Sequence, residues 1–297
     1  MKSDFEEKIV EDWLDSILKL DTSLNLGIPD NGFIYHFVND NQSRSNEFLK
    51  TEDFFCWLIN NNPNFFDPKA QINFINYGDT ELVYVIDDNG YKRTLLVGQP
   101  NTEFGVVRRE YENLKKLAQQ NPELVVCPIT YFSHDSKESY LTPYLYQARC
   151  IASYDNSYGS YIPEPTYHFS EYSSEDAYII CKAMVANLLI LYNHEEHLGL
   201  ASCKIGGGDF ILEKEYDYEI HNIENTLKRM HLTAARKLIS IDFNTYVDLI
   251  KDEFKQITYY KNEIERDSNI LINCKNRVSI PLDSIEDGIQ LGLKLTR

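Results

Sequence analysis

The sequence predicts an α+β fold with a small antiparallel-sheet lobe, a larger mainly helical lobe and a helical extension at the N-terminus. Three observations support this prediction. Residues 72–97 are rich in β-branched and aromatic residues around a turn-forming segment at 87–90, which is typical of a β-hairpin. The spacing of apolar residues becomes helical over 103–120. The apolar stretch 179–192 is too short and too polar to cross a bilayer, which favours a buried helix.

The N-terminal extension is predicted to be mainly helical. Apolar residues recur at helical spacing from Phe5 to Leu20, and a second apolar cluster runs over 48–66. The change to strand-forming sequence follows soon after. The chain is therefore divided into an N-terminal helical segment (1–68), a small sheet lobe (69–146) and a mainly helical lobe (147–297).

The remaining elements follow from composition and turn signals. Two more strands are predicted over 125–132 and 139–146, after the helix at 103–120. A Tyr- and Pro-rich connector at 153–169 reads as irregular, and Ser173 and Ser174 followed by acidic residues mark the start of the next helix. A strand is predicted at 210–212, and the sequence beyond it reads as mostly helical to about Arg266.

Composition excludes several classes of function. The 297 residues carry a net charge of −17 and are 43% hydrophobic, which is enough apolar material for a core. The negative charge disfavours nucleic acid and membrane surfaces as partners, because both attract cationic proteins. Asp4, Glu6 and Glu7 interrupt any apolar leader, and the six cysteines lack a C-x-x-C pair. Reduced thiols and a cytoplasmic location are therefore expected.

One long segment carries the strongest functional signal. Residues 188–212, LLILYNHEEHLGLASCKIGGGDFIL, read as the end of a buried helix, nearby histidines, a short strand, a loop and a returning strand. Together with the preceding hairpin, helix and two strands, this order resembles the protein kinase and aminoglycoside phosphotransferase superfamily over 72–248. The resemblance implies a two-lobed kinase-like fold with ATP and Mg²⁺ as cofactors.

The resemblance first singles out Glu110 and implies that it pairs with a lysine. Glu110 and Lys204 are the two candidate catalytic residues. Glu110 falls three residues after Val107 and four before Leu114, on the apolar stripe of the predicted helix. A buried carboxylate needs a partner. The alternative is a glutamate at the edge of the stripe that reaches water.

The resemblance also implies a nucleotide site in the sheet lobe. Its phosphate-covering hairpin corresponds to residues 75–84, in which Gly78 is the one glycine. Gly78 and Tyr144 are therefore candidate nucleotide-binding residues. The family's third-strand lysine is missing, and Val97 or Gly98 occupies its place. Either Lys92 or Arg93 could substitute for this cation; the strand's period of two allows only one of them to face the cleft, and Lys92 is the predicted one.

The implied catalytic loop is altered as well. Lys204 stands where the family has its catalytic Asp, and a protonated lysine cannot act as a base. Asp209 occupies the family's Asn position and, with Asp242 after the strand-like segment 238–241, is a predicted Mg²⁺ ligand. Asp242 could instead cap a helix. A second register would take Asp209 as the metal ligand of the Asp-Phe-Gly type and place the loop at 194–198.

The glycines at 206–208 are open to two interpretations, an anion-binding nest beside Lys204 or a flexible turn. The altered residues handle phosphates and protons, whereas the core pattern is intact. The sequence therefore favours a catalytically impaired pseudokinase that binds a nucleotide or a partner protein. The alternatives are an active ATP- and Mg²⁺-dependent phosphotransferase and a non-enzymatic α+β interaction protein.

Overall fold

The computed structural model describes residues 25–27, 52–67, 70–77, 81–99, 102–143, 148–152, 166–168, 174–201, 210–213, 222–256, 258–267, 270–279 and 281–296. The chain divides into two compact units. The first contains Met1–Tyr111, Pro128–Tyr144 and Ser160–Pro163, and the second contains Glu112–Cys127, Leu145–Gly159 and Glu164–Arg297.

The described strands of the first unit form one sheet. They are β1 (Asn25–Gly27), β2 (Gln71–Tyr77), β3 (Glu81–Asp88), β4 (Tyr91–Gly98), β5 (Thr130–His134) and β6 (Lys137–Pro143), in the spatial order β1-β2-β3-β4-β6-β5. Short β1 runs parallel to β2, and every other neighbouring pair is antiparallel. The predicted antiparallel sheet is confirmed.

The turn between β3 and β4 forms as the sequence predicts. Asn89 and Gly90 have φ angles of 53° and 94°, as a tight hairpin turn requires. The Gly90 N–H donates to the Asp87 carboxylate at 2.8 Å. The region read as strand before this turn is itself divided into two antiparallel strands, with Tyr77 opposite Leu82.

Both faces of this sheet are covered within the first unit. Helix α1 (Glu52–Asn61) lies on one face, where the Phe55 ring contacts Tyr84 with centroids 4.9 Å apart. Helix α2 (Val106–Gln120) begins on the other face, where the Tyr111 ring lies 5.6 Å from that of Tyr131. Because side chains alternate along a strand, the register places Tyr84 and Tyr131 on opposite faces. Helix α1 therefore packs on the sheet.

Helix α2 starts three residues later than predicted. The apolar spacing indicated a start near Glu103, whereas the helix begins at Val106. Gly105 has a φ of 93°, a left-handed conformation that a right-handed helix cannot include. The turn at this glycine therefore sets the first helical residue.

The second unit is built from helices and short strands. Its described elements are the helices α3 (Ser174–Ile190), α4 (Ile223–Arg229), α5 (Phe243–Gln256) and α6 (Leu282–Leu295), and the strands β7 (Ala148–Ala152), β8 (Thr166–His168), β9 (Leu198–Leu200), β10 (Phe210–Glu213), β11 (Met230–Leu232), β12 (Leu238–Ser240), β13 (Thr258–Asp267) and β14 (Ile270–Ser279). These strands form a sheet of order β11-β10-β7-β8 and two pairs, β9 with β12 and β13 with β14.

Helix α3 is the core of this unit. It begins at Ser174 with Glu175 and Asp176 in its first turn, as predicted, and almost all of its residues from Ala177 to Leu189 are buried. Helix α6 packs closely on it through Gly288, where an added Cβ would lie 2.8 Å from the Lys182 carbonyl oxygen. Among the residues in the described ranges, no helix is long and apolar enough to span a bilayer.

The prediction of mostly helical sequence up to Arg266 is wrong in two places. Met230–Leu232 is a strand beside β10, and Thr258–Asp267 is a ten-residue strand paired along its whole length with β14. The second segment opens with Thr258, Tyr259 and Tyr260, which favour strands. A complete ladder to β14 satisfies the backbone groups on one edge of this strand, which favours the strand over a helix for the charged residues that follow.

Candidate functional site

Glu110 lies on the buried face of α2. It is 1% exposed, and Val107, Leu114 and Leu117 on the same face are also buried. The predicted apolar stripe is confirmed, and the alternative in which Glu110 reaches water is wrong. A carboxylate at this depth must be held by polar partners, since an uncompensated charge in the interior is costly.

The register of β4 decides which cation shares a face with α2. Leu96 pairs with Tyr140, whose ring lies 6.2 Å from Tyr111 of α2. Lys92 and Leu96 have the same parity along the strand, so Lys92 is on the α2 face. Arg93 has the opposite parity and lies on the α1 face. Lys92 therefore shares a face of the sheet with α2, and its choice over Arg93 as the substitute cation stays a prediction.

Lys92 nevertheless lies at the far end of the strand. The first turn of α2 packs at Gly98, where an added Cβ would meet Val107 Cγ2 at 2.9 Å. Six residues separate Lys92 from Gly98, which corresponds to roughly 20 Å of extended chain. At its own end, Lys92 Nζ pairs with Asp87 at 3.6 Å. A phosphate anchor at Lys92 stays a prediction.

Arg93 is engaged on the other face of the sheet. It is 5% exposed, donates to the Phe65 carbonyl oxygen and lies 3.7 Å from the Asp88 carboxylate. Its guanidinium also lies over the rings of Phe66 and Tyr91, 5.8 and 5.3 Å from their centroids. The group lines an open cavity of about 410 Å³ between residues 63–67 and the β3–β4 turn. Arg93 is thus a buried structural cation of the α1 face.

Asp242 caps helix α5. Its Oδ1 accepts the Thr245 backbone N–H at 3.0 Å, and its Oδ2 accepts the Thr245 hydroxyl at 2.5 Å. These hydrogen bonds, the hydroxyl bond first, lower the pKa of the exposed Asp242 carboxyl from its ordinary value. The arrangement matches the capping alternative, and the role of Asp242 as a Mg²⁺ ligand stays a prediction.

Two substitutions separate capping from metal binding at this position. Asp242→Asn should leave stability near neutral pH almost unchanged, because asparagine caps helices as well as aspartate, whereas Asp242→Ala should lower the melting temperature. A lowered pKa in the folded state gives stability that is present above pH 4 and lost as the pH falls through the folded pKa. The native chain should therefore lose more stability in acid than Asp242→Asn, in which Asp287 still contributes an acid-dependent loss. Melting curves between pH 2 and 7 measure it, and equal acid dependence in Asp242→Asn would contradict it.

The strand pairing bears on whether Asp209 and Asp242 could share an ion. Phe210, the residue after Asp209, pairs with Leu232 of β11. Asp242 follows β12, which pairs with β9 in a separate two-stranded sheet. The strand beside β10 is β11, and the residue that follows β11 is Thr233, which has no carboxylate. In the described ranges, no group of three or more His, Cys, Asp or Glu side chains could hold a metal ion.

Four predicted site residues lie outside the described residues. These are Gly78, Tyr144, Lys204 and Asp209. The short strand predicted before the loop is present as β9, and 194–197 form a tight turn closed by two backbone hydrogen bonds between Asn193 and Leu198. The Asn193 side chain accepts the N–H groups of Glu195 and Glu196 at 2.9 Å. This second register therefore places its loop on a closed structural turn.

Comparison with known proteins gives a limited result. No protein-family model matches the chain, and no curated protein matches its sequence. Among solved structures, the chain is similar to the autoinhibited serine kinase domain of the giant muscle protein titin, at 10% identity and a TM-score of 0.36. The match covers 58% of this chain and 46% of the solved kinase-domain chain, so it spans less than half the length of that chain. A likeness of this size assigns no activity, substrate or partner.

Sequence reasoning missed one residue that organises the site. Glu138, in β6, is 3% exposed and accepts a hydrogen bond from the residue that immediately precedes α2. Its position two residues before Tyr140 puts it on the α2 face of the sheet. That alternation was the available signal, because a charged residue in register with a buried row is unusual in a strand.

Proposed function

We propose that the chain is a kinase-like scaffold that acts as a binding module for a partner protein or a nucleotide, without phosphoryl transfer. One observation carries the proposal. The row of β4 that faces α2 has Thr94, Leu96 and Gly98 nearest the start of that helix, and its one cation, Lys92, is roughly 20 Å away and paired with Asp87.

The missing cation matters because phosphoryl transfer depends on charge compensation. The reaction proceeds mainly through positioning and electrostatic stabilisation of phosphate oxygens. A chain with a net charge of −17 repels a polyphosphate unless local cations offset that field. Because β4 places no cation near the start of α2, that strand supplies no charge there to order the phosphates.

The positions predicted for metal and proton transfer support the same proposal. Both carboxylate oxygens of Asp242 accept bonds from Thr245, so a metal ion would have to compete with an intact helix cap. Lys204 occupies the predicted base position, where a protonated amine cannot accept a proton. The buried stripe around Glu110 retains the packing of the scaffold without these chemical groups.

Thermal unfolding with nucleotide tests the proposal. The native chain, Glu110→Gln and Asp242→Ala would be heated with ATP, with and without Mg²⁺, and with EDTA. A ligand at 100 times its dissociation constant stabilises the folded state by about 2.7 kcal/mol, which is readily detected. We expect either no shift, which indicates a module for protein partners, or a shift that is independent of Mg²⁺ and of Asp242.

A different outcome would overturn it. A Mg²⁺-dependent rise in melting temperature that disappears in Asp242→Ala, accompanied by release of ADP from ATP, would establish a metal-dependent phosphotransferase. Asp242→Asn is the matched control, because it keeps the helix cap and removes the charge. A rise lost in Asp242→Ala and retained in Asp242→Asn would point to helix capping and leave the proposal standing.

A further inference from the structure

Glu138 is a buried carboxylate shared by two elements. Its Oε2 accepts the backbone N–H of Gly105 at 2.6 Å, and its Oε1 accepts the hydroxyl of Tyr131 at 2.5 Å. Gly105 immediately precedes α2, and Tyr131 lies on the neighbouring strand β5. One side chain of β6 therefore joins the start of the helix to the sheet.

The chemistry of this contact favours a charged group. The N–H groups at the start of a helix lack intrahelical partners and carry partial positive charge, so a carboxylate is the acceptor best suited to them. Hydrogen bonds to an ionised acceptor are shorter and stronger than those between neutral groups, which agrees with the two distances. The bonds also satisfy a carboxylate that is only 3% exposed.

The chain around this contact restricts the start of α2 further. Gly105 has a φ of 93°, which ends the connection from β4 with a sharp turn. Gly98, at the end of β4, lets Val107 approach so closely that an added Cβ would lie 2.9 Å from its side chain. Gly105 and Val107 both lie within one helical turn of the hydrogen bond to Glu138, so the turn and the close approach restrict the same few residues.

We infer that Glu138 is a positioning residue that fixes where α2 starts on the sheet and thereby keeps Glu110 on its buried face. Glu110 follows Gly105 by five residues, or about one and a half helical turns. A shift of the helix start would therefore rotate or lift Glu110. This role is independent of the proposed function, because it requires neither a nucleotide nor a partner.

The Tyr131 hydroxyl gives a second observable for the same contact. Burial of the phenol, followed by its hydrogen bond to Glu138, raises the Tyr131 pKa to about 12. Removing the Glu138 carboxylate would remove the hydrogen-bond contribution to the raised Tyr131 pKa and leave the contribution from burial. The titration of Tyr131 therefore reports on the Glu138 contact directly.

Hydrogen exchange read by mass spectrometry tests the inference. In Glu138→Ala, the amides of Gly105, Val106, Arg109 and Glu110 should exchange about tenfold faster, because the anchor of the helix start is lost. Exchange in α5 should not change. Glu138→Gln should keep most of the protection, since its carbonyl can accept from Gly105 while its amide donates to the Tyr131 oxygen. Exposed Glu123→Ala is the matched control.

A shorter carboxylate keeps the test decisive if Glu138→Ala does not fold. Glu138→Asp retains the charge, but its side chain is one methylene shorter and should fall short of both partners, so it should show the same local increase. Tyrosine-selective NMR should show a lower Tyr131 pKa in either variant. Exchange at the start of α2 that equals the Glu123→Ala control in both variants would overturn the inference, and so would an equal increase in α5.

Discussion

Replacing Gly288 with alanine should destabilise the chain, although alanine is the better helix former. In an open helix the change would stabilise by roughly 1 kcal/mol. Here the new Cβ would lie 2.8 Å from both the Lys182 carbonyl oxygen and Val185 Cβ on α3. Overpacking of this kind costs typically about 1–3 kcal/mol, so the clash outweighs the propensity. We expect a net loss of about 1–2 kcal/mol, and about 3 kcal/mol or more for leucine.

Urea unfolding followed by circular dichroism measures this loss. Gln290→Ala is the matched control, because Gln290 lies on the same helix and is exposed. It should change the free energy of unfolding by less than about 0.5 kcal/mol. A Gly288→Ala chain as stable as the control would show that α6 does not pack on α3 as closely as described.

Replacing Arg93 with methionine should have a comparable effect in the first unit. Methionine keeps the unbranched apolar stem of the side chain but lacks the guanidinium that lies over the rings of Phe66 and Tyr91. It also leaves the partly buried Phe65 carbonyl oxygen without this donor and Asp88 without this cation. A hydrogen bond that involves a charged group contributes about 1.5–3 kcal/mol, and the ion pair adds to this, so we expect a loss of about 2–4 kcal/mol.

The neighbouring lysine provides the control. Lys92→Met removes a cation from the same strand, but from the opposite face and from a half-exposed ion pair with Asp87. Pairs of this kind contribute at most about 1 kcal/mol. Arg93→Lys should fall between the two, because lysine keeps the charge and loses the planar fork. If Arg93→Met and Lys92→Met lose equal stability, Arg93 is not the structural cation described here.

Local patterns predicted the elements that have a strong period. The spacing of Val107, Glu110 and Leu114 identified the buried stripe of α2, and the 87–90 segment identified its hairpin turn. Both signals are contained within a few residues. The start of α2 was missed because it depends on the positive φ at Gly105 and on Glu138, which is 33 residues further along the chain.

Short strands were the weakest point of the prediction. Three-residue strands such as Met230–Leu232 show no measurable alternation, and only their partners define them. The same limit applies to the candidate metal site. Whether Asp242 could meet Asp209 depends on which strand lies beside β10, and that pairing joins residues about twenty positions apart. Propensity at Leu238–Ser240 could not distinguish a neighbour of β10 from a neighbour of β9.

Within the first unit the sheet is covered on one face by α1 and on the other by the start of α2, and this has a consequence for mutational tolerance. In a sheet with one wet face, every second residue accepts polar substitutions. Here residues of both parities are buried on β3, including Tyr84 and Val85, and five consecutive residues from Glu138 to Thr142 are buried on β6. The residues on either face of the sheet therefore cannot vary freely. Neutral substitutions in this unit should occur mainly in turns and on the outer faces of the helices.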